Sequence, residues 1–153
     1  MKKISSVNTI LFICYGNICR SPAAEYYFNY RAMQEGSNIR ARSAGIAARR
    51  GIPAAEEMIR LLEHNGINMQ AHTARPVSRL FIDDADIILA MEENHANVLR
   101  ERFPDATKKI QTFLAYTNGT DNEVPDPYMH SYELFEKSFS LIQQGIDTLF
   151  TLL

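Results

Sequence analysis

Apolar residues recur along this chain in two patterns. Short runs that are continuously apolar or alternate with polar residues predict strands, and apolar residues three and four positions apart predict the helices that follow them. The run from Ile10 to Cys14 has no polar position before its cysteine and indicates a buried first strand. A second strand is predicted at Ile39 to Ala44, where small or apolar residues alternate with arginine as at a sheet edge. The third strand is predicted at Asp86 to Met91, which contains an apolar run, and the fourth at Lys109 to Phe113.

Apolar residues spaced three and four apart predict four helices between and after these strands. They run from about Pro22 to Glu35, from Pro53 to Gly66, from about Glu92 to Arg102, and from about Ser131 onward. Short helical pieces are expected within 75–84. The apolar stripe of the last helix is interpreted as core packing, and residues 116–130 are predicted to form a long polar loop.

Strands that alternate with helices favour a parallel sheet, because right-handed crossovers place the helices on its faces. We therefore predict an α/β fold of three layers, doubly wound, with a four-stranded parallel sheet and helices on both faces. The 153 residues fit one domain that spans 1–153. Ligands in such folds bind at the carboxyl ends of the strands, where the loop after the first strand lies.

That loop has the sequence Cys14-Tyr15-Gly16-Asn17-Ile18-Cys19-Arg20-Ser21-Pro22 and leads into the first predicted helix. Successive amides before a helix N-terminus form a concave site for an anion. We expect Gly16 to permit a tight backbone turn where a Cβ would clash, and Ser21 to cap the helix with Pro22 in its first turn.

The same loop carries residues suited to phosphoryl transfer. Arg20 offers a planar fork that matches two phosphate oxygens. The positive surroundings favour the thiolate form of Cys14, which is a nucleophile. Alternatively, Cys14 simply ends a buried strand and Arg20 is a solvated helix residue. The agreement of the neighbouring residue types favours the site.

A candidate proton donor lies in the long polar loop, in the segment Val124-Pro125-Asp126-Pro127-Tyr128. The leaving oxygen of a phosphate ester needs a proton, and a carboxylic acid is a suitable donor. The two prolines restrict the backbone of Asp126 and preset its direction. An ordinary Asp-Pro turn is the alternative, but the cysteine loop makes the acid the better interpretation.

Together these two segments resemble the low-molecular-weight protein tyrosine phosphatases. The resemblance covers nearly the whole chain and extends to Ser43-Ala44-Gly45, His72-Thr73-Ala74-Arg75 and Ile88-Leu89-Ala90-Met91. It implies that Cys14 attacks phosphorus while Asp126 protonates the phenolic oxygen, and that water then attacks the cysteinyl phosphate with Asp126 as base. The implied phosphate-binding loop comprises Tyr15, Gly16, Asn17, Ile18, Cys19, Arg20 and Ser21.

The resemblance also implies supporting residues. Ser21 would donate a hydrogen bond to Cys14, and Asn17 would hold the loop through Ser21, Ser43 and His72. No metal or organic cofactor is implied. The histidines show no metal-ligand spacing; they are His64, His72, His95 and His130.

A redox pair and a substrate rim are expected on the same basis. The family's second loop cysteine can form a disulfide with the nucleophile, which pairs Cys19 with Cys14; the alternative is that Cys19 is a small packed core residue. Tyr15 and Tyr128 would form aromatic walls around a phenyl ring. The residues Arg49 and Arg50 either contact the peptide around the phosphate or belong to a solvated loop. Met129 stands where the family often has a second aromatic residue, which leaves the outer wall softer.

Three other functions compete with phosphotyrosine hydrolysis. A phosphoarginine phosphatase is the nearest, but family members of that preference carry threonine where this chain has Ile18. An arsenate reductase would need a further cysteine, and the chain has only two. A phosphate-binding module without catalysis would not need Cys14 or Asp126.

Composition limits which binding partners and which cellular compartment we expect. A net charge of −2 argues against nucleic acid, and two cysteines do not suggest a disulfide framework. The apolar runs are too short for a membrane span, and the N-terminus lacks the apolar core of a signal peptide. We expect a cytoplasmic monomer or weak dimer whose partner is a phosphotyrosine protein. A bacterial tyrosine kinase is the family-level example.

Overall fold

Four strands form one parallel sheet, as the sequence predicts. The computed structural model describes residues 6–119 and 122–152. The strands are β1 Thr9–Cys14, β2 Arg40–Gly45, β3 Ile87–Ala90 and β4 Ile110–Thr112, and they lie in the order β2–β1–β3–β4. Each lies within the range predicted for it, or within one residue of it.

Six α-helices in the described residues connect and follow the strands. They are α1 Arg20–Glu35, α2 Glu56–His64, α3 Arg79–Asp84, α4 Glu93–Arg102, α5 Phe113–Asn118 and α6 Tyr132–Leu152, with a 3₁₀ turn at Pro104–Lys109. The helix α3 confirms the helical pieces expected within 75–84. None of the helices within 6–119 and 122–152 is long and apolar enough to cross a bilayer.

Three boundaries differ from the prediction. Helix α2 begins at Glu56 rather than Pro53, because Pro53 forms a bridge with Thr73 and the intervening chain stays extended. Helix α1 begins at Arg20, which places Ser21 inside the first turn rather than at the N-cap. Helix α5 occupies the start of the predicted polar loop, which is correspondingly shorter.

Strand β1 lies in the sheet, which is the middle layer, and helices pack against both faces of that sheet. Ile10, Phe12 and Cys14 belong to a core that includes residues of α1, α2, α5 and α6. Leu11 and Ile13 belong to a second core that includes residues of α3 and α4. This alternation in a fully apolar strand is typical of a sheet covered on both faces, and the three-layer prediction is confirmed.

The outer edge of β2 is closed by side-chain and loop contacts, in keeping with the predicted sheet edge. The side chain of Asn29 in α1 accepts a hydrogen bond from Ala41 N at 2.9 Å and donates one to Ala41 O at 3.0 Å. Further along, Gly45 N donates to Arg75 O and Gly45 O accepts from Val77 N. These contacts bring the segment around Arg75 beside the loop that follows β1.

Candidate active site

The loop between β1 and α1 directs its carbonyl groups outward. Five of its carbonyl oxygens accept hydrogen bonds from groups around the loop or in α1. The pairs are Cys14 O with Ile46 N, Tyr15 O with Ala47 N, Asn17 O with His72 Nε2, Ile18 O with Ala55 N, and Cys19 O with Ala23 N. Because a trans peptide points its C=O and following N–H in opposite directions, the next amides face the loop interior. The loop thus forms a nest for an anion at the N-terminus of α1.

The tight curvature of this loop depends on Asn17 and Gly45. Asn17 has a φ of 56°, a left-handed conformation that asparagine tolerates better than most residues. A Cβ on Gly45 would lie 2.7 Å from Tyr15 O and 3.0 Å from Asn17 N, so only glycine fits there. The expectation that Gly16 avoids a clash is wrong, because a Cβ there would meet nothing closer than Ile18 Cγ1 at 3.8 Å.

The fully buried side chain of Asn17 uses all its hydrogen-bonding groups. Its Nδ2 donates to Ser21 Oγ at 2.8 Å and to Ser43 Oγ at 2.9 Å. Its Oδ1 accepts from Arg75 N at 3.0 Å. One side chain therefore ties the loop to α1, to β2 and to the segment after His72.

Ser21 connects this network to the thiol. Its Oγ lies 2.9 Å from Cys14 Sγ, and Asn17 N donates to the same sulfur at 3.3 Å. Ser21 Oγ accepts from Asn17 Nδ2, and its own proton can be donated to the sulfur. Both groups would then stabilise negative charge on the sulfur. Ser21 does not cap the helix; its hydroxyl is used for the sulfur instead.

Behind Asn17 lies a carboxylate that the sequence did not single out. Ser43 Oγ donates to Glu25 Oε1 at 2.6 Å, and Arg75 Nη2 donates to the same oxygen at 3.1 Å. Burial raises the pKa of Glu25 above its usual value, while the Ser43 hydrogen bond and Arg75 act in the opposite direction. Glu25 completes a chain of polar groups that extends from the thiol to the edge of β2.

His72 supports the loop from the other side. Its Nε2 lies 2.9 Å from Asn17 O. A carbonyl only accepts, so the proton is on Nε2. Burial lowers the pKa of His72 below its usual value, although this hydrogen bond raises it. The ring packs edge-on against Tyr26 and is neutral at pH 7.

Arg20 is buried rather than solvated, with 2% of its surface exposed. Its Nη1 donates to Glu92 Oε2 at 2.5 Å and to Val124 O at 2.9 Å. These bonds fix the plane of the guanidinium and leave Nε and Nη2 available for an anion. Glu92 follows β3 and was not identified from the sequence. Its carboxylate partly balances the charge that Arg20 carries into the site.

The loop that carries Asp126 is fastened to this arginine and to two further elements. Val124 N donates to Met91 O at 3.2 Å, and Ser138 Oγ of α6 donates to Pro125 O at 2.7 Å. Asp126 is exposed, with its Oδ2 3.8 Å from Arg20 Nη2. Its Oδ1 accepts from Tyr128 N at 3.1 Å, which aligns the carboxyl with the following aromatic residue.

These elements surround a pocket of about 340 Å³. Its lining includes Cys14, Tyr15, Gly16, Ile18, Cys19, Arg20, Ala47, Arg49, Ile52, Asp126 and Tyr128. Tyr15, Ile52 and Tyr128 are exposed at its mouth. Arg50 lines a neighbouring cavity instead. The prediction did not name Ala47 or Ile52, which carry no motif and belong to the wall only through the fold.

Cys19 lies in the pocket wall but differs from Cys14 in its surroundings. Both are free and buried thiols. Burial raises the pKa of Cys19 well above its ordinary value, and the neighbouring Cys14 raises it further. Cys19 is therefore a protonated thiol at neutral pH, and Cys14 is the better nucleophile of the pair.

A cysteine and an arginine thus lie at the two ends of an amide nest and line one pocket with the carboxyl group of Asp126, an arrangement suited to a thiol-dependent phosphatase. Comparison with known proteins identifies the class. The sequence model described as "Low molecular weight phosphotyrosine protein phosphatase" matches residues 9–153. The chain belongs to this family.

Individual relatives include enzymes of two named activities. Low molecular weight protein-tyrosine-phosphatase Wzb of Escherichia coli is 35% identical over 90% of this chain and 90% of its own. A protein-arginine-phosphatase of Bacillus subtilis is 32% identical over 84% of this chain and 85% of its own. The crystal structure of a low molecular weight protein tyrosine phosphatase from T. tengcongensis superposes with a TM-score of 0.92 and 34% identity, covering 95% of this chain and 99% of that one.

Proposed function

We propose that this protein hydrolyses phosphotyrosine in other proteins through a cysteinyl-phosphate intermediate. One observation carries the proposal: the sulfur of Cys14 lies 2.9 Å from Ser21 Oγ and accepts from Asn17 N, in the pocket that Arg20 and Asp126 also line. Nucleophile, anion clamp and acid thereby converge on one space.

The first step transfers the phosphoryl group to the enzyme. The thiolate of Cys14 attacks phosphorus, a sulfur–phosphorus bond forms, and the bond from phosphorus to the phenolic oxygen breaks. Asp126, protonated at this stage, gives its proton to that oxygen, and tyrosine leaves as a neutral phenol. Because Asp126 is exposed at the mouth of the pocket, it lies on the side from which the leaving group departs.

The second step returns the enzyme to its starting form. Water attacks phosphorus while the carboxylate of Asp126 takes its proton, and the sulfur–phosphorus bond breaks to release phosphate. The hydrogen bond from Ser21 stabilises the departing thiolate of Cys14. In both steps Arg20 and the loop amides would hold the equatorial oxygens, where negative charge must be stabilised.

The pocket wall favours an aryl phosphate. Tyr15 and Tyr128 stand at the mouth as two aromatic walls, and Ile18 and Ile52 add apolar surface. A flat phenyl ring fits between such walls and reaches the thiol at the floor. Arg49 also lines the pocket and would contact the phosphopeptide near its phosphate.

Phosphoarginine is the second candidate substrate, because one relative is named a protein-arginine-phosphatase. Against it, the side chain of Ile18 has no polar atom that could bind a guanidinium. We expect a higher kcat/KM for a phosphotyrosine peptide than for a phosphoarginine peptide of the same sequence. Ile18→Thr should shift the ratio toward phosphoarginine. A parent enzyme that prefers phosphoarginine would overturn the assignment.

Two further alternatives are weaker. An arsenate reductase needs a third cysteine, whereas both cysteines of this chain lie in the one loop. A phosphate-binding module would not need the acid at Asp126, so the decisive assay is hydrolysis of p-nitrophenyl phosphate. Cys14→Ser should abolish it, while Cys19→Ser, a matched change in the same loop, should retain it. Asp126→Asn should reduce it by about 10²–10⁴-fold, and Asp105→Asn, a remote exposed control, should not.

Regulation and setting follow from the thiol. Oxidation of Cys14 by a peroxide, which is itself reduced to water or an alcohol, would give a sulfenic acid. Cys19 would then condense with it, forming a disulfide and releasing water. A free Cys14 requires reducing surroundings, which suits a cytoplasmic enzyme acting as a monomer or weak dimer. A Cys14→Ser substrate trap should retain phosphotyrosine proteins, with tyrosine kinases among the candidates.

A further inference from the structure

A buried histidine, His95, lies beneath the arginine that clamps the anion. Among the described residues, three buried side-chain polar atoms have no hydrogen-bond partner: His72 Nδ1, Arg75 Nε and His95 Nδ1. The first two belong to residues of the network behind Asn17. His95 is on the opposite side of the site, is only 4% exposed, and takes no part in the chemistry described above.

A polar neighbour of this ring is the Glu92 carboxylate, which also holds Arg20. His95 Nε2 lies 3.8 Å from Glu92 Oε2, and the same oxygen accepts from Arg20 Nη1 at 2.5 Å. The distance of 3.8 Å is too long for a hydrogen bond, so the neutral ring leaves the oxygen to Arg20. Imidazole and guanidinium thus both lie beside the same carboxylate oxygen.

We propose that His95 is a positioning residue for the phosphate clamp: its neutral ring confines the Glu92 carboxylate to the orientation that holds Arg20. The buried ring lies 3.8 Å from the carboxylate oxygen that accepts from Arg20, so it limits how far that carboxylate can turn toward it. This deepens the proposed phosphatase function and rests on it, because the effect reaches the substrate only through Glu92 and Arg20.

The surroundings of His95 keep it neutral. Burial lowers its pKa below the usual value, and the charge of Arg20 lowers it further, while Glu92, Glu123 and Asp126 raise it. The ring also lies in the first turn of α4, where the helix dipole disfavours a cation. An imidazolium here would compete with Arg20 for Glu92.

The test is a double-substitution cycle read out as sulfate affinity, since sulfate should bind the amide nest and cannot be turned over. NMR titration of the parent and of His95→Ala should show sulfate binding weakened by about three- to tenfold in the variant. In a Glu92→Gln background, the same His95→Ala change should cause no further weakening. His95→Gln, which is neutral and of similar length, should restore affinity to within about twofold of the parent. His64→Ala, at an exposed site on α2, serves as the control.

Two results would overturn this role: an equal loss from His95→Ala in both backgrounds, or no loss in the parent background. Thermal unfolding of each variant reports any general loss of packing, which would be the same with and without Glu92. Failure of the phosphatase proposal is seen separately, as a parent protein that binds sulfate but does not hydrolyse aryl phosphates.

Discussion

Replacing Asn17 by alanine should damage both the stability of the fold and the anion site. The side chain makes three buried hydrogen bonds, to Ser21, Ser43 and the amide of Arg75. At about 1 kcal/mol each, their loss lowers the free energy of unfolding by about 3 kcal/mol. The left-handed backbone at φ 56° adds about 1 kcal/mol, because alanine tolerates it poorly.

Urea denaturation measures this loss by linear extrapolation, and sulfate titration of the same samples measures the site. Asn17→Gly should recover about 1 kcal/mol relative to Asn17→Ala, since glycine accepts the positive φ. Asn29→Ala is the matched control: it removes two hydrogen bonds to Ala41 at the sheet edge but touches no residue of the loop. It should cost about 2 kcal/mol of stability and leave sulfate affinity unchanged.

A structural role for Asn17 is refuted if Asn17→Ala lowers the free energy of unfolding by less than about 1 kcal/mol, the value of a single hydrogen bond. It is equally refuted if that variant binds sulfate as tightly as Asn29→Ala does. Either result would mean that the loop keeps its shape without the side chain at its centre.

Three further outcomes are expected from the site. Gly45→Ala should lower the melting temperature and weaken sulfate binding, because its Cβ would lie 2.7 Å from the loop backbone. Gly16→Ala, the control, should leave the melting temperature nearly unchanged. Similar melting temperatures for the two variants would contradict this expectation. Iodoacetamide at neutral pH should alkylate Cys14 and spare Cys19, because burial raises the pKa of the Cys19 thiol. Mass spectrometry identifies the labelled residue, and sulfate should protect it from labelling. Equal labelling of the two cysteines would argue otherwise. Burial also lowers the pKa of His72. Between that pKa and about 6.5 the unfolded chain binds more protons than the folded protein, so stability falls as pH decreases. Urea titrations should show a shallower fall for His72→Asn, and an unchanged slope would disprove this contribution of His72.

Local patterns predicted the strands and the cysteine loop, because each is encoded within a few neighbouring residues. The buried run before Cys14 and the Pro-Asp-Pro segment at 125–127 are signals of this kind. Helix α5 was missed because its six residues are too few to establish a period. Ser21 was expected to cap the helix, but its hydroxyl forms a hydrogen bond with the sulfur of Cys14 instead.

Residues that act through distant contacts could not be predicted in the same way. Glu92 meets Arg20 across 72 positions of sequence, and Glu25 reaches Arg75 across 50. Nothing near either glutamate marks it as a partner of the loop. The requirement for glycine at position 45 likewise comes from the backbone of another segment. Such pairs arise from the order of strands in the sheet, which brings the ends of β1, β2 and β3 together.

Phosphoryl transfer through Cys14 is best tested by trapping the cysteinyl phosphate. Asp126→Ala should form the cysteinyl phosphate from p-nitrophenyl phosphate, whose leaving group needs little protonation, but should hydrolyse it slowly. Acid quenching and peptide mass spectrometry should then place one phosphoryl group on Cys14, with none in the Cys14→Ser, Asp126→Ala double variant. Turnover by the parent without a phosphoryl group on Cys14, or a phosphoryl group on another residue, would show that the reaction does not pass through Cys14.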